Sequence, residues 1–468
     1  MPTLHSPTAR PRLAMFSLAL AMLLSALGTS IANIALPTLA SVFAASFQQV
    51  QWIVLAYLLP LTALIVSIGR LGDLLGRRRL LLAGVSLFSL AALACATPSL
   101  PLLLLARACQ GMGAATMMAL SMAVVADIVP AEKTGTAMGL LGTTSAVGTA
   151  LGPSLGGGLI ALFGWQAVFV IQFPLGLAAL LLMASSLPAD PPAASRPTRG
   201  FDLPGTLLLA LALLAYALGM TQRHGAAGGA SLPLLAMAGV LGLAFVQHQR
   251  RAAAPLLSLS LLRQSAMRSG LIMSLLVSTV IMATLVVGPF YLSRSLGLAA
   301  AQLGLVMSCG PLAAALCGVP AGKLVDRYGP QDMTVGGLAA MLAGCGALAW
   351  LPASLGVPGY LLALITVTSG YALFQAANNT MVMRGQAPGQ RGLIAGLLNL
   401  SRNLGLITGT ALMGALFAAA SGSHPITAAT AVATATGLHT TFTVAASLIA
   451  VAIVLAWQQR RPPLVQPA

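Results

Sequence analysis

The chain has 468 residues, of which 58% are hydrophobic and only 6% charged, with a formal net charge of +16. Soluble domains carry about 25% charged residues, so a soluble globular fold is excluded and a polytopic helical membrane protein is indicated. The 23 Lys and Arg sit in short clusters between apolar runs, which argues against a nucleic-acid surface and matches juxtamembrane charge.

A membrane helix needs about 20 mostly apolar residues. In chain order such runs are predicted at 13–36, 50–69, 80–97, 100–126, 134–161, 165–187, 203–222 and 231–247. Six more follow at 269–293, 300–322, 333–351, 357–383, 392–420 and 434–459, fourteen in all. The first follows Arg10 and Arg12 and could pass for a signal peptide. It exceeds the roughly 7–15 apolar residues of a signal core and is predicted to stay as the first helix. Residues 188–202 form a proline-rich polar connection and 248–268 a more basic one, whose Pro255–Arg263 stretch reads as a short interfacial helix or a plain loop.

With the N-terminus in the cytoplasm and each run crossing once, nineteen of the 23 basic residues fall on the inner side. Arg223 and Arg294 fall outside, and Arg107 and Arg402 lie within runs. The positive-inside bias therefore predicts cytoplasmic termini in an inner membrane. Omitting the seventh and eighth runs together would keep this pattern, so charge alone leaves twelve helices open.

The chain also repeats itself. Gly69, Leu71, Asp73 and Gly76 close the second run, and Gly322, Leu324, Asp326 and Gly329 close the tenth, with Arg70 and Lys323 at matching places. Arg77 follows the first copy. Glycines allow a tight turn, and Asp73 can accept hydrogen bonds at a helix N-terminus. Arg77 can pair with Asp127 or Glu132, so the loops read either as a conformational latch or as a solvated charge cluster. In the fourth run, Arg107 precedes Gln110; an intramembrane arginine is expensive and points to function, or to a tie onto backbone carbonyls. In the fifth, Gly148, Gly152 and Gly156 recur every four residues around Pro153, a row that admits a close partner helix. Asn33, Tyr57, Gln110, Gln375, Asn378, Asn379, Asn399 and Asn403 are candidates to line a cavity or to join helices. Trp52 and Trp165 read as interface anchors, and the five cysteines as small apolar packing residues.

These motifs together resemble the major facilitator superfamily. Gly69–Arg77 is similar to its signature cytoplasmic loop, and Arg107, Gln110 and Gly111 to its R-x-x-Q-G element. Gly148–Gly157 is similar to the G-x-x-x-G-P-x-x-G-G element of exporters. Leu27–Pro37, Gly164–Phe169, Phe201–Gly205 and Leu398–Gly405 resemble the fourteen-helix drug:proton antiporters, the multidrug efflux family. The resemblance spans essentially the whole chain. It implies an all-α major facilitator fold: an N-terminal six-helix half (1–187), a linker region with two extra transmembrane helices (188–268) and a C-terminal six-helix half (269–468). It further implies a monomeric secondary transporter working by alternating access, with a small-molecule substrate, the lipid bilayer and protons as partners and no cofactor.

The departures bear on mechanism. Gly28 stands where that family carries an aspartate in the first helix. The seven carboxylates, Asp73, Asp127, Glu132, Asp190, Asp202, Asp326 and Asp332, are all predicted at helix ends or in loops, and so are the five histidines. Proton coupling is therefore expected to be weak, to use Asp127, or to be absent. With Arg107 and Arg402 unmatched, the expected substrate/coupling set of Asn33, Arg107, Gln110, Asn378, Asn399 and Arg402 should favour anionic or neutral molecules. A membrane enzyme would need clustered acids, histidines or metal-ligand spacing, and ATP-driven transport a phosphate loop; the sequence offers neither. A transporter-like protein without transport remains the other reading.

Overall fold

The computed structural model describes residues 11–129, 134–190, 201–221, 231–252, 256, 264–383, 391–422 and 430–460. Fourteen rods run through them. The first six are α1 (Pro11–Val42), α2 (Phe47–Leu75), α3 (Arg77–Ala94), α4 (Leu100–Ile128), α5 (Thr134–Phe163) and α6, built from Ala167–Val170 and Gln172–Ser186. A hairpin follows, α7 (Leu203–Thr221) and α8 (Ser231–Arg251). The rest are α9 (Ser265–Arg294), α10 (Ala300–Tyr328), α11 (Pro330–Ala349), α12 (Gly356–Met383), α13 and α14 (Ala431–Arg460). Within α13, Arg391–Thr408 and Gly414–Ser421 are α-helical and Gly409–Met413 forms a π turn.

Thirteen of these helices are long and apolar enough to cross a bilayer. The exception, α3, has 18 residues and opens on Arg77, Arg78 and Arg79. It joins the end of α2 to the opposite end of α4, so it too must cross. The two extra helices predicted at the seventh and eighth places form the α7–α8 hairpin, which makes fourteen crossings instead of twelve.

Local chemistry sets the joints. Ser46 caps α2: its hydroxyl accepts from the Gln49 amide, and the Gln49 side chain accepts from the Ser46 amide. Gly76 and Gly329, the last glycines of the two repeated motifs, each end one helix and begin the next with a single residue. Their φ values of 104° and 88° fall where a Cβ is strained. That one-residue reversal is what the repeated motif encodes at its final position. At Gly76 a side chain would also strike the Asp190 carboxylate.

The first six helices pack as α1 on α5, α2 on α4, and α3 on α4 and α6; the last six as α9 on α13 and α14, α10 on α12, and α11 on α12 and α14. The α7–α8 hairpin leans on α2, where Ser67 and Thr206 share a 2.7 Å hydrogen bond. It also reaches α13, where Tyr216 meets Thr408 at 3.0 Å.

Candidate functional site

One end of the molecule carries Asp73, Arg77–Arg79, Arg250, Arg251, Lys323, Asp326 and Arg327; we call it the basic end. Here Arg77 clasps Asp73 one turn away, Nε at 3.0 Å and a terminal nitrogen at 2.9 Å, and donates to the Ala123 carbonyl of α4. Asp73 therefore does not occupy the N-terminus of α3. Asp190 does: the amides of Arg78 and Arg79 donate to its two oxygens at 2.8 and 3.0 Å, where the helix dipole favours an anion. Sequence alone does not point to Asp190, because it lies 112 residues away in a loop. Asp127 sits in the last turn of α4, but its side chain, like Glu132, lies outside the described residues. In the second motif copy Asp326 is exposed and makes no ion pair among the described residues. No described atom lies within 4 Å of where a Cβ on Gly69 or Gly322 would be.

A second constellation lies deep in the first six helices. Arg107 is completely buried. Its Nε donates to the Ile53 carbonyl of α2 at 3.0 Å and one terminal nitrogen to the Gly28 carbonyl of α1 at 3.0 Å. The other terminal nitrogen meets Gln110 Oε1 at 2.6 Å. The guanidinium also lies 4.3 Å from the Tyr57 ring centre, a cation–π contact. Gln110 passes the chain on to Gln172 of α6 at 3.0 Å. The hub thus ties α1, α2, α4 and α6 through one cation whose partners are carbonyls and amides. Gly28 faces straight into it: a Cβ there would lie 3.1 Å from the Tyr57 hydroxyl and 3.3 Å from Gln172 Oε1.

The glycine row of α5 serves α1. Side chains at Gly148, Gly152 and Gly156 would strike Leu23, Ser30, and Ile31 with Ile34 respectively. The neighbouring row joins the last six helices, because Gly157 and the Pro153 carbonyl abut Gly304 of α10 backbone to backbone. Sequence spacing alone could not separate the two rows.

The end opposite the basic one is sealed. Phe47 of α2, Phe290 of α9 and Phe417 of α13 form a buried cluster with ring centres 4.9–6.2 Å apart. Beside it, Gln51 Nε2 donates to the Thr410 carbonyl at 2.6 Å. Thr410 lies in the π turn, a distortion that perturbs the helical ladder and recurs at functional sites. Arg294 donates to Ser41 nearby. Trp165 is buried against Phe43 and Phe169, so it packs the protein and does not anchor an interface. Towards the basic end, a Cβ on Gly142 of α5 or Gly318 of α10 would meet no described atom within 4 Å.

Between those ends, Asn33 is buried and bonds the Thr29 carbonyl, leaving its Oδ1 without a partner. Asn378 joins α12 to the Gly270 carbonyl of α9 at 3.1 Å. Asn399 and Arg402 are half-buried on α13, and the Arg402 Nε has no partner. Among the described residues no group of three His, Cys, Asp or Glu could hold a metal. The described carboxylates all lie in a first or last helical turn or a loop at the basic end. His439 departs from the expected pattern: it lies inside α14, bonded to the Leu351 carbonyl just past α11.

The Major Facilitator Superfamily model matches residues 18–410. The chain belongs to that superfamily. It is 33% identical to the uncharacterized transporter YebQ of Escherichia coli, over 86% of this chain and 88% of the relative. The riboflavin transporter RibZ of Clostridioides difficile is 31% identical over 84% and 86%. The drug efflux pump JefA of Mycobacterium tuberculosis is 33% identical over 88% and 81%. A bacterial homolog of the human lysosomal transporter Spinster shares the fold with a TM-score of 0.71, at 16% identity over 98% of this chain and all of the other. As a facilitator, the chain is a multi-pass membrane transporter.

Proposed function

We propose that the protein exports small amphipathic molecules from the cytoplasm by alternating access, as a monomer. The observation that carries this reading is the closure of the path at the end opposite the basic one, where three phenylalanines and the Gln51–Thr410 hydrogen bond join the two groups of helices. The basic end faces the cytoplasm, because the positive-inside bias places its clustered Lys and Arg there. Residues 1–187 and 269–468 then rock as two halves about a site near the midplane. The Asp73–Arg77 clasp and the Asp326 loop act as inner latches. The drug efflux relatives support the export direction, and the riboflavin transporter supports a neutral metabolite as a second cargo class.

Proton antiport through a mid-membrane carboxylate is not part of this reading, because Gly28 offers Arg107 a carbonyl in place of a carboxylate. Asp127, in the last turn of α4, is the acid nearest a span interior. The test is an efflux panel of anionic, cationic and neutral dyes in a host stripped of its own exporters. Expression should lower accumulation of at least one dye, and nigericin in potassium medium, which collapses the pH gradient alone, should leave that efflux intact. A panel in which no compound's accumulation changes sinks the efflux reading. Efflux that stops with nigericin in both wild type and Asp127→Asn sinks the view of coupling.

A further inference from the structure

We propose that the α13 face carrying Asn399, Arg402 and Leu406 binds the negatively charged group of an organic anion, and that the membrane potential drives its export. This rests on the efflux reading above and specifies its substrate class.

The first step is position. The apolar span of α13 begins at Gly396, so Arg402 lies six residues, about 9 Å at 1.5 Å per residue, inside it. A guanidinium at that depth needs a polar surrounding.

The second step is direction. Successive residues turn by about 100°. Ser401, Gly405 and Gly409 point at α9, where Ser401 donates to the Leu271 carbonyl and Gly405 abuts the Leu275 carbonyl. Thr408 takes the contact with Tyr216 of the hairpin, which covers the outer side of the α2–α13 seam. Asn399, Arg402 and Leu406 lie roughly 120–180° around the helix from Thr408. They therefore face inward, between α9 and α2, towards the gap between the halves.

The third step is electrostatic. Arg107 spends its donors on two carbonyls and a glutamine. Arg402 makes no such bond: its Nε is buried without a partner, and no described carboxylate pairs with it. Its neighbour Asn403 is also buried with an unused Nδ2 donor. An intramembrane charge in this state is expensive and faces a wet path or a ligand. Every described carboxylate lies outside the middle of the spans, so no described acid offsets the positive potential there. An anion entering from the cytoplasm does.

The drive follows from the same charges. A cycle that carries out one anion and returns empty moves one negative charge outward. An interior-negative potential favours that by roughly fortyfold in concentration ratio per 100 mV. No proton needs to return, consistent with the lack of a mid-span acid.

The experiment uses the full-length protein in proteoliposomes at equal pH on both sides, with a potassium gradient and valinomycin setting the potential. Fluorescein serves as anion and ethidium as cation. Fluorescein should move faster when the loading side is negative. Arg402→Gln should raise its half-saturation roughly ten- to hundredfold, and Arg402→Lys should restore most of it. Anisotropy of fluorescein with detergent-purified wild type should show binding that weakens with salt, a measurement that needs no variant to fold. Saturable ethidium transport with fluorescein excluded overturns this inference and leaves the efflux reading standing. Fluorescein affinity unchanged in a folded Arg402→Gln does the same. Movement of neither dye, alongside a negative efflux panel, overturns both.

Discussion

At the scale of single residues, the two intramembrane arginines differ in their partners. Arg107 has the lower-cost solution to burial: its charge meets the carbonyls of Ile53 and Gly28, Gln110 and the face of Tyr57. These contacts tie α1, α2, α4 and α6 together, and we propose that this is the task of Arg107. Hydrogen bonds to a charged group contribute about 1.5–3 kcal/mol each. Arg107→Met should therefore lower the stability of the purified protein by at least about 2 kcal/mol, seen as an earlier thermal transition in detergent. Arg107→Lys should recover little, since a point charge on a flexible stem does not reproduce the planar fork. Transport by the fraction that folds should keep its half-saturation. If Arg107→Lys melts like wild type but needs tenfold more substrate, Arg107 belongs to the substrate path instead.

At the scale of elements, the hairpin shows what keeps an added helix pair in place. Asp202, just before α7, accepts from the Gly205 amide at 2.9 Å, from His248 at 2.7 Å and from Gln249 at 2.8 Å. Gln249 in turn accepts from the Leu256 amide. Burial pushes the Asp202 carboxyl upward, but the Gly205 amide, His248 and Gln249 outweigh it and hold the group below its ordinary value. A carboxyl with a lowered folded value adds stability above its unfolded value of about 4. That stability is lost as the pH falls through the lowered value. Protease protection of the α7–α8 hairpin should thus be constant from neutral pH to about 4 and decline below it. Asp202→Asn should be less protected at neutral pH and lack that acid limb; a variant with the wild-type profile would separate Asp202 from hairpin stability. The helices themselves were legible, because runs of about 20 apolar residues flanked by clustered arginines suit a bilayer and little else. So was the reversal at Gly76 and Gly329, which the repeated motif marks. The partners of Arg107 were not, since backbone carbonyls leave no trace in a sequence. Nor was the role of Asp190, which is set by the return of a distant loop, or the π turn at Gly409–Met413, whose residues fit an ordinary helix equally well.

At the scale of the whole molecule, alternating access requires the sealed end to be held by contacts weak enough to break. Gln51 to the Thr410 carbonyl is one such contact between the halves, and it depends on Gly414, where a Cβ would run into the Gln51 amide. The three phenylalanines supply non-directional closure beside it, while this bond supplies register. A neutral hydrogen bond contributes about 0.5–1.5 kcal/mol net, so its loss should shift the balance between the two states roughly two- to tenfold. Gln51→Leu preserves bulk and removes the donor. Gly414→Ala keeps the donor and displaces it. Both should act alike. Spin labels at exposed Val42 of α1 and Ala299, just before α10, report the sealed end from opposite halves. Either substitution should add a longer component to the distance distribution. A second pair near the basic end, at Leu75 and Lys323, should gain a shorter one in the same proportion, because rigid halves that part at one end approach at the other. A change at the first pair with none at the second would mean that the π turn frays locally and that the halves do not move as units.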